Sequence, residues 1–393
     1  MTQQMCKLGD VCRIFTGGTP SRTKSEYFGG GIPWVKITDM LQGIVITTDE
    51  TIALAGIENS SAKLLPVGTV LISIFATIGR TAVLGIEAAT NQAIAGVVPH
   101  DIGRLDSQYL RFYLDSQHGF LNREARGVAQ PNINQGILKN LDISIPSLSE
   151  QRRIVDLLSR AEGIVRLRWE VEKKAAELIP ALFLDMFGDP ATNPKGWPVA
   201  TVGSVLEAAD YGSSSKASSD GAGLPMIRMG NITYAGQLDL ADLKYVKLPQ
   251  AEIERYSLHE GDILFNRTNS KELVGKTGLW NVSLKAIVAS YFIRLRVQRA
   301  VVSPYFLWGF MNTAHMKRAI FDTARGAIGQ SNINSKELKA FPLPVPPLLL
   351  QEQFALRCAD VSGVATQQSA ATTKAQAAFD ALLASIFDGG GRN

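Results

Sequence analysis

The side chains best suited to chemistry in this sequence are arginines, lysines and carboxamides in loops bordered by glycine. The clearest run is Phe265-Asn-Arg-Thr-Asn-Ser-Lys271, which follows a strand-like stretch. Arginine can donate two hydrogen bonds to a guanine edge, asparagine or glutamine can pair similarly with adenine, and serine, threonine or lysine can hold phosphates. A loop of this composition therefore predicts contacts to a nucleic acid.

Patterns that would support catalysis or a metal site are weak in this sequence. Val274-Gly-Lys-Thr277 resembles the end of a phosphate-binding P-loop, but Ser270 stands where that loop requires glycine. The histidines lie far from one another and from cysteines at metal-ligand spacing; they are His100, His118, His259 and His315. The residues therefore favour a binding protein over an enzyme, with no catalytic and no metal-binding residues expected.

The elements that must position these loops occur twice, at an offset of roughly 200 residues. Gly31-Ile-Pro-Trp-Val-Lys-Ile37 matches Gly223-Leu-Pro-Met-Ile-Arg-Met229, and Gln130-Pro-Asn-Ile-Asn134 matches Gln330-Ser-Asn-Ile-Asn334. Each copy mixes β-rich runs with helical patches, which predicts a mixed α/β (α+β) fold. Small gaps in the match indicate a common scaffold whose loops differ, and loops carry specificity.

Positive charge recurs at matched positions of the two copies, which sets these side chains apart from ordinary surface charges. The matched pairs are Arg22 with Lys216, Lys36 with Arg228, and Arg80 with Lys276. For the two Asn-Ile-Asn motifs, a turn or capping role is as consistent with the sequence as a base contact. The predicted DNA-binding residues are Thr19, Ser21, Arg22, Lys36, Arg80, Arg126, Asn132, Asn134, Ser213, Lys216, Arg228, Arg267, Asn269, Lys271, Lys276, Arg325, Gln330, Asn332 and Asn334.

Each copy is followed by a long amphipathic segment that predicts a helix of about 45–60 Å. We predict four segments: a globular domain at 1–146, a helix at 147–188, a second globular domain at 189–345 and a second helix at 346–388. Pro180 predicts a kink or an early break in the first helix.

The two predicted helices share a seam with 4-3 spacing, and both seams are polar at the same central step. A single polar seam position can fix the register of paired helices. The predicted helix-pairing and partner-docking residues are Leu157, Ala161, Ile164, Arg168, Val171, Ala175, Leu178, Leu182, Val361, Val364, Gln368, Ala371, Ala375, Ala378 and Leu382.

Composition is that of a globular protein, with 46% apolar and 19% charged residues. Residues 1–150 contain 12 Lys/Arg against 13 Asp/Glu, whereas residues 195–345 contain 18 against 12. The first copy is therefore expected to bind DNA weakly without a partner. No apolar run is long enough to span a membrane, and three scattered cysteines fit a reducing cytoplasm.

The whole chain resembles the specificity (S) subunit of a type I restriction–modification system. The motifs that carry the resemblance occur in order along the chain. They are Thr16-Gly-Gly-Thr-Pro-Ser-Arg22, Gly31-Ile-Pro-Trp-Val-Lys36, Gln130-Pro-Asn-Ile-Asn134 with its repeat, Ile143-Ser-Ile-Pro-x-x-x-Glu-Gln-Arg-Arg-Ile154, and Gly261-Asp-Ile-Leu-Phe-Asn-Arg-Thr-Asn-Ser270 followed by Leu273-Val-Gly-Lys276.

The resemblance implies that each globular copy is a target recognition domain that reads one half of a split, asymmetric DNA sequence. It further implies that the two long helices pair antiparallel as a coiled coil, giving an internal pseudo-two-fold repeat. They would set the distance between the half-sites and offer a docking surface to two methyltransferase (modification) subunits. Restriction subunits would add translocation and cleavage. S-adenosylmethionine, ATP and magnesium are expected on those partners, with no cofactor on this chain.

Two other functions remain open at the level of the sequence. The chain could be a self-contained methyltransferase or nuclease fragment, which would bind S-adenosylmethionine or cleave DNA with Mg²⁺ on its own. It could also be a coiled-coil scaffold that does not bind DNA. Replacing Arg267 by alanine separates that scaffold from a DNA reader, since a base contact would weaken recognition of one half-site only.

Overall fold

The computed structural model of the chain describes residues 5–75, 77–125, 132–327 and 330–387. It contains two compact units, of which the first is Met1–Trp169 with Ala371–Asn393 and the second is Glu170–Ala370. The unit boundaries fall inside the long helices, whereas the predicted segments treat each helix as a separate spacer. Each unit therefore combines one α/β domain with parts of both helices.

The first unit is built on a five-stranded sheet in the order Cys12–Thr16, Ile94–Pro99, Val70–Ser73, Thr81–Leu84, Ile44–Val45. A smaller sheet has the order Glu50–Ile52, Phe28–Val35, Ala89–Thr90, and Met5–Lys7 pairs with Asp142–Ser144. The α-helices of this domain are Leu8–Val11, Leu54–Glu58, Ser107–Ser116, His118–Glu124 and Gln135–Lys139.

In the part of the chain that the structure describes, the second unit repeats the order of the first four strands of the main sheet, lacks the fifth and adds a three-stranded sheet. Its main sheet has the order Leu206–Tyr211, Phe292–Val297, Ile263–Asn266, Thr277–Leu279. The smaller sheets are Lys244–Val246, Leu224–Ile227, Ile287–Val288; Thr268–Asn269, Gln330–Asn332, Arg325–Ala327; and Val199–Thr201 with Pro342–Pro344. Its α-helices are Gln250–Tyr256, Pro304–Met311, Ala314–Thr323 and Ser335–Lys339.

Short, mainly apolar runs in the sequence explain the inner strands of the main sheets. Each inner strand is apolar on both faces, as in Val70–Ser73 and Ile263–Asn266, because one face packs on helices and the other on the smaller sheet. The core of the first unit gathers strand residues with Leu110 and Phe112 of helix Ser107–Ser116. The prediction of two similar mixed α/β domains is confirmed.

The long helices run from Leu148 to Phe187 and from Leu348 to Phe387. Pro180 does not break the first helix, so the predicted early break is wrong. The end of this helix is anchored in the core of the second unit by Phe183, Met186 and Phe187, which compensates for the hydrogen bond that proline cannot donate. No helix in the described ranges is long and apolar enough to cross a membrane.

The two long helices pack antiparallel within each unit. In the second unit, the ring of Phe183 near the end of the first helix lies 5.6 Å from that of Phe354 near the start of the second. In the first unit, the core contains Ile154 and Leu158 from the start of the first helix and Leu383 from the end of the second. The antiparallel pairing that the resemblance implied is thus confirmed.

Candidate nucleic-acid interface

The predicted recognition loop of the second unit is held by a buried asparagine. Asn266, fully buried at the end of its strand, donates its side-chain amide to the carbonyls of Thr268 and Tyr291, both at 3.2 Å. The side-chain oxygen of Asn266, Oδ1, accepts a hydrogen bond from Asn269 Nδ2 at 2.8 Å. Asn269 therefore supports the loop. Arg267, which directly follows Asn266, lies in the turn that these hydrogen bonds stabilise.

A hairpin lies beside this loop and adds further polar groups. Thr268–Asn269 pairs with the strand Gln330–Asn332, and Thr268 Oγ1 donates to Asn332 Oδ1 at 3.1 Å. Asn332 is exposed. The backbones of Arg325 and Gln330 lie in the same hairpin, while their side chains lie outside the described part of the structure.

In the first unit two of the predicted cations, Arg22 and Lys36, share one carboxylate. Glu50 accepts from Arg22 Nη1 at 2.8 Å and from Lys36 Nζ at 3.0 Å. Those two hydrogen bonds hold the pKa of Glu50 below its usual value. Arg22 also stacks over Phe28, with Cζ 4.5 Å from the ring centroid. These contacts therefore reduce the positive potential on this face of the first unit.

The matched residues of the second unit are less compensated. Lys216 is exposed, and Arg228 Nη2 lies 3.2 Å from Asp242 Oδ2, whose side chain is itself largely exposed. Lys271 is exposed and extends over the ring of Phe321 at 4.5 Å. The difference in charge between the two halves of the sequence thus appears at matched positions of the fold.

Two predicted contacts are wrong because their side chains are inside the protein. Lys276 is 8% exposed and donates its ammonium to the carbonyl of Met229, and burial lowers its pKa. Ser213 is 3% exposed, and its hydroxyl accepts from the Ser215 amide at 3.2 Å. Gly275 has φ +85° and the matched Gly79 has φ +86°, so both units share this left-handed turn although Lys276 is buried and Arg80 is partly exposed.

The second asparagine of each Asn-Ile-Asn motif is a helix cap. The side chain of Asn134 accepts from the amide of Ile137, and that of Asn334 accepts from the amide of Glu337. The capping alternative is therefore the correct one for both. Asn132 differs, since its Oδ1 is buried without a hydrogen-bond partner among the described residues.

The remaining predicted residues of the first unit lie on exposed or partly exposed loops. Thr19 and Ser21 are exposed, and they bond to Gln92 and Thr23 respectively. Arg80 is partly exposed and lines a cavity of about 800 Å³ beside helix Ser107–Ser116. Arg126 lies outside the described residues. The DNA contacts of these side chains remain predictions.

About half of the predicted helix seam lies at buried or partly buried positions, and the rest is exposed. The buried or partly buried positions are Ala161, Ala175, Leu182, Val361, Gln368, Ala371, Ala375 and Leu382. The exposed positions are Leu157, Ile164, Arg168, Val171, Leu178, Val364 and Ala378.

The inward stripe instead uses neighbouring residues such as Leu158 and Val165. It is wider than a two-helix seam because each helix end also packs on an α/β domain. The exposed apolar positions lie outside this buried stripe, and both their pairing role and their partner-docking role remain predictions.

One pair of residues that sequence reasoning missed fixes each long helix to its domain. Gln151 Oε1 accepts from the amide of Asp106 at 2.8 Å, and its Nε2 donates to the carbonyls of Arg104 and Pro146 at 2.8 and 2.9 Å. Gln351 makes the same three bonds to the matched groups of the second unit. Both glutamines are fully buried. The sequence signal that could have identified these glutamines is their recurrence 200 positions apart, at the same place in each long helix.

A second missed contact is an ion pair found in the first unit. The two terminal nitrogens of Arg111, Nη1 and Nη2, each donate to a carboxylate oxygen of Glu162 at 2.8 Å. Arg111 Nη1 also lies 3.4 Å from Asp115 Oδ2. Burial raises the pKa of Asp115 to about 6. In the second unit, neutral Trp308 and Asn312 occupy the matching helix and bond to backbone carbonyls instead.

Two copies of one α/β domain, each fixed to the start of a long helix and each carrying polar loops at matched positions, define a duplicated recognition module. The model of the type I restriction modification DNA specificity domain matches residues 2–173 and again 194–358. The chain belongs to this family. It is a non-catalytic subunit that recognises a DNA target for a type I restriction–modification system.

Individual relatives agree with the family match. The specificity subunit of the type I restriction enzyme MjaIX from Methanocaldococcus jannaschii is 23% identical over 367 residues, covering 87% of this chain and 83% of that protein. The EcoR124I/EcoR124II specificity subunit from Escherichia coli is 29% identical over 164 residues, covering 40% of each.

Solved structures show the same fold. A chain from a type I restriction–modification system matches with a TM-score of 0.57 at 20% identity, covering 98% of this chain and 97% of that one. The crystal structure of a type I S subunit from M. genitalium matches with a TM-score of 0.52 at 13% identity, covering 97% and 94%.

Proposed function

We propose that the chain reads a split, asymmetric DNA sequence, with one half-site recognised by each unit. The observation that carries this proposal is the separate family match of each half, on domains whose main sheets share the order of four strands. The loops at matched positions differ in charge and residue type, so the two half-sites differ in sequence. Double-stranded DNA is therefore the ligand of both domains.

The long helices set the distance between the half-sites. Each has 40 residues, which corresponds to about 60 Å at 1.5 Å per residue. The buried glutamines Gln151 and Gln351 fix the start of each helix to its own domain, so that each reader is held in one orientation on its helix. This rigidity supports a fixed spacer between the half-sites.

The partners are two methyltransferase (modification) subunits, which dock on the helices, and restriction subunits that join them. Apolar side chains on the first helix support docking, since Ile164, Leu167 and Trp169 are 55–62% exposed. In the second unit, Leu178 and Leu182 line an open apolar groove of about 480 Å³ with Val361 of the other helix. The partners bring S-adenosylmethionine, ATP and magnesium, and the complex works in the cytoplasm.

Co-purification with a methyltransferase (modification) subunit of the same restriction–modification system tests the docking proposal. Leu178 is 48% exposed, so Leu178→Glu places a charge in the groove with little cost to the fold. We expect it to reduce the bound methyltransferase by about half, because the surface of one of the two subunits is disrupted. Lys174→Glu is the control, because Lys174 is exposed on the same helix but does not line the groove.

The same preparation tests the remaining roles. S-adenosylmethionine should bind to the complex and not to the purified chain. Unchanged co-purification of Leu178→Glu would contradict docking in the groove. Binding of S-adenosylmethionine or Mg²⁺-dependent cleavage by the chain alone would contradict the assignment of catalysis to the partners.

A further inference from the structure

One arginine of the second unit is held rigidly with its charge uncompensated. The amide of Arg267 donates to the Tyr291 carbonyl at 2.9 Å, and its carbonyl accepts from the Ile333 amide at 2.9 Å. Its guanidinium carbon lies 4.8 Å from the ring centroid of Tyr211. Stacking on a tyrosine fixes the plane of the guanidinium and leaves its outer N–H groups free to bond.

Other partly or fully buried arginines in this unit lie beside carboxylates. Arg228 pairs with Asp242, and Arg296 pairs with Asp262 at 2.9 Å. Arg267 has no acceptor or carboxylate partner among the described residues, and its Nε is buried without a hydrogen bond. The Nε atoms of Arg228 and Arg294 are likewise buried without a hydrogen bond, so Arg267 differs in having no carboxylate beside it among the described residues, and its outer N–H groups can bond to an external acceptor.

The surroundings of Arg267 identify the kind of acceptor. Among the described side chains, the polar neighbours of Arg267 in this loop and hairpin are neutral: Thr268 and the exposed Asn332 carry both donors and acceptors, while Asn269 bonds within the loop. Carbonyl oxygens beside a phosphate would repel it, whereas a base edge offers donors and acceptors together. A planar guanidinium matches the two adjacent acceptors, O6 and N7, that guanine exposes in the major groove.

We propose that Arg267 reads a guanine in the half-site recognised by the second unit, and that Tyr211 positions its guanidinium for this contact. The proposal deepens the proposed function and rests on it.

The first unit lacks this pair of residues at the matched positions. Tyr211 pairs with Ile293 in the sheet, and Thr16 occupies the same place opposite Ala95. Arg267 follows the strand Ile263–Asn266, and the residue that follows the matched strand Val70–Ser73 is Ile74, which is 4% exposed. The guanine contact therefore belongs to one half-site only.

Selection from a randomised DNA library by the full-length chain with its methyltransferase partners tests the proposal. The wild-type protein should select a two-part consensus with a guanine in one half. Arg267→Lys keeps the charge but loses the two-pronged donor, so preference for that guanine should fall about tenfold or more. Every position of the other half-site should keep its preference.

Two further variants test the stacking. Tyr211→Ala should also weaken the guanine preference, whereas Tyr211→Phe retains the ring and should preserve it. Arg318→Gln is the matched control: Arg318 is exposed, pairs with Asp322 at 2.9 Å and should leave the consensus unchanged when replaced.

The outcomes separate the two levels of inference. A wild-type consensus without guanine in either half, or one that survives Arg267→Lys, overturns the role of Arg267 but leaves the proposed function standing. Equal loss of binding to every DNA sequence would make Arg267 a phosphate contact and would also overturn its role. Selection of no consensus at all by the wild-type complex would refute the proposed function itself.

Discussion

The buried glutamine at the start of each long helix should be one of the most sensitive positions in the protein. Replacing Gln151 by leucine keeps a side chain of similar size and removes three hydrogen bonds, one accepted and two donated. Gln151 is fully buried, so water cannot reach the groups that lose their partner. The helix and the domain then lose the contact that fixes their relative orientation.

The expected loss follows from these three bonds. A typical internal hydrogen bond contributes about 1 kcal/mol, and a buried group left unpaired costs roughly 1–3 kcal/mol. Gln151→Leu should therefore destabilise the first unit by at least about 3 kcal/mol. Gln351 makes the same three bonds, at 2.9, 3.3 and 2.8 Å, so Gln351→Leu should destabilise the second unit by a similar amount.

Urea unfolding of the full-length chain measures both losses. With a denaturant slope of about 2 kcal/mol/M, a loss of 3 kcal/mol lowers the midpoint of the affected unit by about 1.5 M. Gln353→Leu is the control, because Gln353 is exposed in the same helical turn as Gln351 and should change stability by less than about 0.5 kcal/mol. A loss below 1 kcal/mol for Gln151→Leu, or values for the two glutamines that differ by more than about 2 kcal/mol, would refute this account of the junction.

Two other predictions concern the ion pair of the first unit and the length of the helices. The pKa of Asp115 is raised from 3.8 to about 6 in the folded state, so as the pH falls the folded protein binds this proton before the unfolded chain does. Asp115 therefore contributes about 1 kcal/mol more to the free energy of unfolding at pH 5 than at pH 7. Asp115→Asn introduces the residue found at the matching position, Asn312, and should reduce the difference between the free energies of unfolding measured with urea at pH 5 and pH 7. An unchanged difference would contradict this role of Asp115. Deleting seven residues from both long helices shortens each by about 10 Å, or about three base pairs, so the selected spacer should shrink accordingly. A spacer of unchanged length in the selected DNA would exclude the helices as the ruler.

Much of the fold could be predicted because its signals are local and occur twice. The glycine-bounded strands and the long apolar-periodic segments recur in the same order, and the helix bounds found, 148–187 and 348–387, lie within two residues of the predicted limits. The phase of the seam could not be predicted. It depends on how far each helix end also packs on its domain, and this contact turned Leu158 inward in place of Leu157.

The candidate site was harder to predict because the charge of a residue does not show whether its side chain points into the domain or into solvent. Lys276 and Lys216 both match cations of the first copy, yet Lys276 is buried and donates to the Met229 carbonyl, while Lys216 stays in solvent. Arg22 and Lys36 were predicted as DNA contacts, and only the fold shows that both reach Glu50. Gln151 was missed because its three partners come from segments near residue 105 and from Pro146, which meet only in the folded domain.

Mapping of methylated bases in DNA treated with the reconstituted complex tests the central claim most directly. The chain and its methyltransferase partner, supplied with S-adenosylmethionine, should modify adenines in a sequence made of two specified segments separated by a fixed number of unspecified bases. The partner without this chain should show no such target. Methylation at a single uninterrupted sequence, or a target that is the same with and without the chain, would contradict its role as a reader of split DNA sites.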